Sequence, residues 1–302
     1  MKQTKIAIIG AGSVGATAAY AIMWKGAAAE IMLVDIDEKR CKGEVLDLSD
    51  ALSFCCTSKI YKGTPQEAGQ ADIVVIAAGA RQKPGQSRTE LINVNKKIIH
   101  SIITQMQPIN PSTVIIMVSN PVDILTYCAQ QIAGLPKNQV FGSGTYLDSQ
   151  RLRNILSRKL QIAEQSIEAY VLGEHGDSQF IAWSCMSLAG IPILEFPSLT
   201  PQDLQAITDE TRNKVYEIIS CKDATFFGVA ACVADYCECI AFDQKRVIPL
   251  SCFNEKFDVC LSMPTVLGGS GIEQQLPIRL NEKEQKQLDE SAQKLRSIID
   301  SL

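Results

Sequence analysis

The sequence lacks the cysteine and histidine groupings of a structural metal site. Its 302 residues include two histidines, and neither lies near the cysteine pairs Cys55-Cys56 and Cys237-x-Cys239, which themselves lack the two-plus-two spacing of zinc ligands. We therefore predict no metal. The eleven cysteines are an odd number, and we interpret them as small buried hydrophobic side chains in a reducing compartment, where disulfides are disfavoured.

Strong charge and long apolar runs are also missing. The net charge is −4, with acids and bases mixed along the chain, which argues against nucleic acid or an anionic membrane surface as the main partner. No apolar stretch is long enough to cross a bilayer. The first predicted strand begins within about five residues of the N-terminus, which leaves no room for a signal or transit peptide. We expect a cytoplasmic protein.

The first 35 residues contain a glycine-rich turn between two predicted strands. Ile6-Ala7-Ile8-Ile9 is short and rich in β-branched residues, as expected for a strand buried on both faces. Gly10, Gly12 and Gly15 follow at the spacing GxGxxG, and a helix is predicted over 16–25. The three glycines would allow a tight turn, a close backbone approach to a pyrophosphate and close packing of helix on strand.

The second strand, predicted over 31–34, ends on an acid. Asp35 can accept hydrogen bonds from the ribose hydroxyls of an adenosine and would repel a 2′-phosphate, so we predict NAD rather than NADP. The helix start near Ser13 offers free N–H groups to the phosphates. A purely structural glycine turn is the alternative, and the ordered strand, helix, strand and acid disfavour it.

The rest of the first half alternates strands with helices. Strands are predicted over 73–78 and 114–118 and helices over 38–50, 91–106 and 122–133, which predicts a parallel sheet with helices on both faces. Because ligands bind at the carboxyl ends of such strands, Gly79-Ala80 and Ser119-Asn120 should share one edge with the glycine turn.

The second half has a mixed α+β pattern. We place the boundary after residue 143, giving an NAD-binding Rossmann domain over 1–143 and an α+β catalytic domain over 144–302. Helices are predicted over 147–160, 201–220 and 226–242, with a last helix capped by Asn281. A strand is predicted over 169–172, and short strands over 247–251 and 259–267 are expected to be broken by Pro249, Pro264 and Gly268-Gly269.

Three groups could carry out proton and anion chemistry. His175 lies in the glycine-flanked stretch GEHGD and is either a proton carrier or an ordinary turn histidine. Asp148 and Arg151 are three apart, so on a helix they share a face, where they could orient an imidazole and bind a carboxylate or simply form an intrahelical salt bridge. The segment 79–88 holds three cations and is either a solvated loop or a lid over the nicotinamide.

The sequence motifs around these residues are similar to those of a known family. The chain resembles the L-lactate/malate dehydrogenase family over its whole length, through the ordered motifs GAGSVGA, GARQKPGQSR, SNPVD, LDSQRLR and GEHGD. The resemblance implies that His175 is the general acid/base, oriented by Asp148. It further implies that Arg151 binds the substrate carboxylate, that Arg88 polarises the keto oxygen and that Asn120 touches nicotinamide and substrate. The predicted cofactor residues are Gly10, Gly12, Val14, Gly15, Asp35, Gly79, Ala80, Ser101 and Asn120.

The resemblance also bears on the choice of 2-oxo acid. In malate-specific relatives an arginine at the position of Gln82 pairs with a second carboxylate. The neutral Gln82 would leave that anion unpaired, at a cost on the order of 1.5–3 kcal/mol, although the neighbouring Lys83 is a cation. Thr225 matches a position that limits side-chain room, which favours pyruvate, but Lys222-Asp223 stands where relatives usually have Lys-Gly. A malate or branched-chain 2-hydroxyacid dehydrogenase is the first alternative, and a non-catalytic NAD-binding protein the second.

Regulation and assembly are further implications of the family. Many bacterial relatives bind fructose 1,6-bisphosphate at a subunit interface through an arginine and a histidine. Arg153 matches the arginine, but Glu168 replaces the histidine and would repel phosphate, so activation should be weak or absent. The resemblance implies a homotetramer, with a dimer as the alternative. The second histidine, His100, falls on a predicted helix face and is given no role in proton transfer.

Overall fold

The computed structural model describes residues 4–80 and 88–302, and of Arg88 it describes the backbone alone. The strands in this part of the chain are β1 Lys5–Ile9, β2 Glu30–Val34, β3 Lys59–Lys62, β4 Ile73–Ile76, β5 Val114–Met117, β6 Val140–Gly142, β7 Ile167–Glu168, β8 Val171–Leu172, β9 Phe180–Ile181, β10 Ser187–Leu188, β11 Ile191–Pro192, β12 Arg246–Asn254, β13 Val259–Gly268 and β14 Gly271–Gln275. The α-helices are α1 Ser13–Lys25, α2 Glu38–Asp50, α3 Pro65–Ala68, α4 Arg88–Met106, α5 Val122–Ile132, α6 Tyr146–Leu160, α7 Pro201–Lys222, α8 Phe227–Ala241 and α9 Glu282–Asp300.

One nine-stranded sheet links the two halves of the chain. Its order is β14-β13-β12-β6-β5-β4-β1-β2-β3, and the six strands from β6 to β3 are parallel. The antiparallel strands β12, β13 and β14 extend it, because Ser251 on β12 pairs with Gly142 on β6. The parallel sheet was predicted. Its continuation into the second half was not.

Strand β1 shows why a continuous apolar run forms a strand here. Ile6 and Ile8 belong to the apolar cluster on one face of the sheet, whereas Ala7 and Ile9 belong to the cluster on the other face. All four are at most 4% exposed. Because successive side chains of a strand point to opposite faces, a strand covered by helices on both sides needs apolar residues at every position. Helix α1 packs against α8, which brings a helix of the second half onto the first.

The prediction that prolines break the strands of the second half is wrong. Strands β12 and β13 run on through Pro249 and Pro264, and these two prolines are direct partners in the ladder. Opposite residues in an antiparallel pair alternate between positions that exchange N–H···O bonds and positions that do not. Two prolines facing each other fit the second kind of position, since neither has an N–H to give. Gly268 does end β13.

The predicted helices correspond closely to those in the structure. Helix α2 has the predicted bounds, and Asn281 caps α9 by accepting a hydrogen bond from the backbone N–H of Glu284, whose side chain bonds back to the cap. The strand predicted over 169–172 is shorter, since β8 covers Val171–Leu172 only. Strands β7, β8, β9, β10 and β11 form two small sheets beside the main one.

Within 4–80 and 88–302, no single helix has both the length and the apolar character needed to cross a membrane. The pair α7 and α8 meets the two criteria jointly, but the helices are bent by 119° at the break between them.

Candidate functional site

The glycine turn after β1 is tightly packed at two glycines and open at the third. Gly10 has φ of +103°, and a Cβ there would lie 2.7 Å from the backbone nitrogen of Ala78. A Cβ on Gly15 would overlap the carbonyl oxygen of Gly10, whereas the space beside Gly12 is open. Two glycines therefore allow the chain to pack closely, and Gly12 leaves the backbone accessible to a ligand. This arrangement is consistent with the predicted pyrophosphate site.

The start of α1 has the character of an anion site. Its N-cap is Gly12, no side chain caps the free N–H groups, and the first turn, which includes Val14, contains no acid. Free N–H groups and the positive end of the helix dipole favour phosphate oxygens. Asp35 stands beside this turn and accepts hydrogen bonds from the backbone nitrogens of Ala11 at 2.6 Å and Asp37 at 2.8 Å. Its carboxylate is thus held at the end of β2, and the residues fit a dinucleotide.

A buried asparagine that the sequence analysis missed joins the ends of β4 and β5. Asn95 on α4 is 1% exposed. Its Oδ1 accepts from the backbone nitrogen of Ala80 at 2.8 Å, and its Nδ2 donates to the carbonyl oxygen of Asn120 at 2.8 Å. Gly79, Ala80 and Asn120 therefore meet at one edge of the sheet. The available signal was a polar residue at helical spacing between Ile92 and Ile99.

Ser101 does not join these residues. It is exposed on α4, where its hydroxyl accepts a hydrogen bond from Gln105 Nε2 at 2.9 Å. It lines a cavity of about 660 Å³ together with His100, Lys96 and Leu302. None of the other described cofactor candidates lines this cavity, so a cofactor role for Ser101 is a prediction from sequence alone.

The structure brings His175, Asp148 and Arg151 together. Helix α6 places Asp148 and Arg151 almost one turn apart, and the loop after β8 brings in the histidine. His175 Nδ1 lies 2.7 Å from Asp148 Oδ2, and Arg151 Nη1 donates to Asp148 Oδ1 at 2.9 Å. Asp148 is 2% and Arg151 8% exposed, while the imidazole retains 27% exposure. The intrahelical salt bridge therefore exists, and the Asp148 carboxylate also contacts the imidazole, whereas binding of a substrate carboxylate by Arg151 stays a prediction.

Electrostatics favours a protonated imidazole at this site. Burial acts to lower the pKa of His175, but the charge and hydrogen bond of Asp148 outweigh it and raise the pKa above its usual value. Burial acts to raise the pKa of Asp148, but His175 and Arg151 outweigh it and lower the pKa. An imidazole whose Nδ1 is held by a carboxylate can exchange a proton at Nε2 near neutral pH.

The histidine loop is also anchored to the last helix. The backbone nitrogen of Glu174 donates to Ser291 Oγ at 2.8 Å, and its carboxylate, 2% exposed, pairs with Lys294 Nζ at 2.8 Å. Ser291 and Lys294 are both on α9. The C-terminal helix therefore helps to set the position of His175, which the sequence did not indicate.

Three predicted site residues receive less support from the structure. Gln82 and the side chain of Arg88 lie outside the described residues. Thr225 is half-buried in the short connection between α7 and α8, two residues after Asp223, which ends α7 with φ of +67°. In the described part of the chain no three His, Cys, Asp or Glu side chains are grouped as metal ligands would be, and the absence of a metal stays a prediction.

Two features of this chain together define a class of protein, the nicotinamide-dependent oxidoreductases. One is the glycine turn suited to a dinucleotide, and the other is a histidine held by a buried carboxylate that is paired with an arginine. Comparison with known families gives the same class and refines it. Residues 4–142 match the lactate/malate dehydrogenase NAD binding domain, and residues 145–302 match the lactate/malate dehydrogenase alpha/beta C-terminal domain. The chain therefore belongs to the lactate/malate dehydrogenase family and carries its NAD-binding domain.

Individual relatives agree over nearly the whole chain. L-lactate dehydrogenase A of Rhizopus oryzae is 48% identical over 295 residues, covering 98% of this chain and 92% of that protein. L-lactate dehydrogenase of Synechococcus sp. (strain JA-3-3Ab) is 40% identical, with 99% of each chain covered. The solved minor L-lactate dehydrogenase from Enterococcus mundtii, in its ligands-bound form, superposes with a TM-score of 0.96 at 32% identity, covering 100% of this chain and 99% of that one.

Proposed function

We propose that this chain is an NAD-dependent L-lactate dehydrogenase that interconverts pyruvate and L-lactate. The observation that carries the proposal is the buried Asp148 carboxylate, which bonds His175 Nδ1 on one side and Arg151 on the other. The relatives of this family at 40–48% identity are L-lactate dehydrogenases. NAD, when bound, supplies or accepts the hydride, and the protein contributes position, charge and a proton.

Each side chain has a defined part in this proposal. His175 Nε2 gives a proton to the keto oxygen as pyruvate is reduced and takes it back from the lactate hydroxyl in the reverse direction. Asp148 holds the opposite nitrogen of the ring, so the exchangeable proton faces the substrate. Arg151 binds the substrate carboxylate with its guanidinium. Asn120 would contact nicotinamide and substrate, and Arg88 would stabilise the developing oxyanion.

The substrate preference rests on sequence. The neutral Gln82 gives the second carboxylate of oxaloacetate no cation at that position, although Lys83 is adjacent, and Thr225 narrows the space available to larger 2-oxo acids. Malate and branched-chain 2-hydroxyacid dehydrogenase activities remain the alternatives, since these two positions are the ones that would distinguish them. In the same proposal, residues 1–143 bind the nucleotide and residues 144–302 supply the acid/base and the substrate anion site, although the main sheet runs through both.

A side-by-side assay tests the proposal. NADH oxidation is measured with pyruvate, oxaloacetate and 2-oxoisocaproate at matched concentrations, and NADPH replaces NADH in a parallel series. We expect the highest kcat/KM with pyruvate and NADH. Oxaloacetate turning over fastest would reassign the enzyme to malate, and no turnover with any of the three acids would favour a binding protein.

We also propose a homotetramer, with a dimer as the alternative. Four aromatic side chains, Tyr20, Trp24, Phe54 and Phe227, are 45–72% exposed around one cavity of about 560 Å³. A group of exposed aromatic residues is typical of a protein interface. Sedimentation equilibrium should give about four times the chain mass of 33.0 kDa.

Weak or absent activation by fructose 1,6-bisphosphate is a further part of the proposal. Arg153 and Glu168 both act on the pKa of Tyr170, with opposite effects, so both charges lie near Tyr170. A phosphate bound by Arg153 would meet the Glu168 carboxylate. The half-saturating pyruvate concentration should change little when the bisphosphate is added, and a large decrease would contradict this.

We propose a cytoplasmic location, which the state of the thiols supports. All eleven cysteines are free, six of them buried, and burial raises the pKa of several, including Cys252 to about 12. Buried protonated thiols suit a reducing compartment. Fractionation of the native cells, followed by detection of the chain, tests the location.

A further inference from the structure

Asp123 is a buried carboxylate beside the histidine loop to which neither the sequence analysis nor the proposed function assigns a role. It lies in the first turn of α5 and is 2% exposed. Its Oδ2 accepts the backbone N–H of His175 at 2.7 Å. Its Oδ1 is buried and has no hydrogen-bond partner within the described chain. A carboxylate in such a place is unfavourable unless a nearby charge compensates it.

The groups around Asp123 identify the compensating charge. It faces His175 and Glu174 in the loop, Ser251 and Cys252 on β12, and Cys260 on β13. Glu174 is already paired with Lys294, and the thiols are neutral because burial raises their pKa values. Of these groups that face Asp123, His175 is therefore the one that can carry a positive charge.

The charges around His175 lead to the same pairing. Asp148, Arg151 and Asp123 act on the imidazole from helices α6 and α5. Asp148 acts most strongly, through its charge and its hydrogen bond, and Arg151, which is paired with Asp148, opposes it only weakly. Asp123 adds a second, smaller negative charge that also favours a protonated imidazole.

We propose that Asp123 is a positioning residue for His175, which holds the backbone of the histidine through its N–H and favours the protonated ring through its charge. The kinetic part of this inference rests on the proposed function, because it takes His175 as the acid/base. The other part, that the Asp123 charge favours the protonated form of His175, can be tested without any turnover. Burial raises the pKa of Asp123 to about 6, so this support for His175 weakens in more acidic solution.

The Asp123→Asn substitution separates charge from shape. Asparagine keeps an acceptor for the His175 N–H and removes the charge. NMR titration of the imidazole C–H signals reads the pKa of His175 directly, since the chain has two histidines and a His100→Gln variant assigns them. We expect the pKa of His175 to fall by about 0.5–1 pH unit in Asp123→Asn. An unchanged pKa would overturn the proposal.

Kinetics gives a second readout. Reduction of pyruvate needs protonated His175, so the alkaline limb of its kcat/KM profile should move to lower pH in Asp123→Asn by the same amount as the NMR pKa. Asp123→Ala also removes the acceptor, and its kcat at the pH optimum should be about tenfold below that of Asp123→Asn. Equal kcat values in the two variants would contradict the positioning role.

Thr126→Val serves as the matched control. Thr126 follows Asp123 by three residues on α5, and its Oγ1 is buried with no hydrogen-bond partner among the described residues, so this change alters the same face of the helix without altering its charge. The pKa of His175 should stay within about 0.2 pH unit of that of the unmodified protein. If Thr126→Val lowered the pKa of His175 as far as Asp123→Asn does, local packing rather than the Asp123 charge would be responsible, and the proposal would fail. Failure of the proposed function is recognised separately, by an unmodified chain that turns over no 2-oxo acid.

Discussion

At the scale of single residues, His175 is constrained at two points by two different helices. Asp148 on α6 bonds the ring nitrogen Nδ1, and Asp123 on α5 accepts the backbone N–H. Because Nδ1 is occupied, the tautomer and ring orientation are set before any substrate arrives, and Nε2 is the atom left to exchange a proton. The raised pKa of His175 extends the protonated form of the ring, which donates the proton when pyruvate is reduced, to higher pH.

Replacing the histidine tests its role directly. His175→Asn should lower kcat for pyruvate reduction at least about a thousandfold, because it removes the group that transfers the proton. NADH affinity, measured by fluorescence titration, should change less than about threefold, since the nucleotide is bound by the first half of the chain. Retained turnover would mean that another group moves the proton.

Replacing Gln82 tests the choice of substrate. Gln82→Arg should raise kcat/KM for oxaloacetate and lower it for pyruvate, because a guanidinium would pair with the second carboxylate. The preference should shift by about tenfold or more, the factor that corresponds to a charge-assisted bond of roughly 1.5–3 kcal/mol. Gln82→Asn is the control, since it keeps the position neutral and should leave oxaloacetate the poorer substrate.

At the scale of secondary-structure elements, the connection between α7 and α8 has a backbone conformation that glycine favours. Asp223 ends α7 with φ of +67°, a left-handed conformation that glycine adopts freely and that aspartate tolerates better than most residues. The resemblance predicts glycine next to this lysine. The backbone therefore has the shape that glycine would give it, even though the residue is different, and the half-buried Thr225 follows in the same turn.

This conformation predicts a stabilising change. Asp223→Gly should raise the free energy of unfolding by about 0.5–1 kcal/mol, because glycine carries no Cβ into the left-handed region. Urea unfolding with fluorescence detection measures it. Asp209→Gly, at an exposed site inside α7, is the control and should destabilise by about 1 kcal/mol. A loss of stability at residue 223 would show that the Asp223 side chain stabilises the turn.

At the scale of the whole molecule, buried ionisable groups connect stability with pH. The pKa of Asp148 is lowered in the folded protein. Its contribution to the free energy of unfolding is therefore present above its usual pKa and is lost as pH falls through the pKa of the folded state. The pKa of His175 is raised, so its contribution is present below its usual pKa and is lost as pH rises through the folded value. Asp123 changes the stability with pH in the opposite direction to Asp148, because folding raises its pKa from 3.8 to about 6.

The effect of Asp123 on stability can be measured. Ionisation of a buried acid is unfavourable, so stability should fall as pH rises from about 4 to about 6, by about 3 kcal/mol for a pKa difference of about two pH units. Asp123→Asn should remove this decrease. Urea unfolding of both proteins across pH 4–8 tests it, and parallel stability curves for the two would contradict the assignment.

Local sequence patterns were sufficient for much of the fold. Apolar runs such as 6–9 gave the buried strands because a strand covered on both faces needs apolar residues at every position. Helical periodicity gave α2 and α9 for a similar reason, and the three-residue spacing of Asp148 and Arg151 placed them on one face of α6. Each of these is an interaction within one segment, so it leaves a trace at short range along the chain.

The sequence by itself determined the nucleotide-binding turn, the parallel sheet and the residues most suited to proton transfer. Only the tertiary structure decided that Pro249 faces Pro264, that β6 and β12 join the two halves in one sheet, and that Asp123 lies against a histidine 52 residues later in the chain. The physical reason is that these partners are distant in sequence and meet only when the chain is packed, so no periodicity or spacing records them.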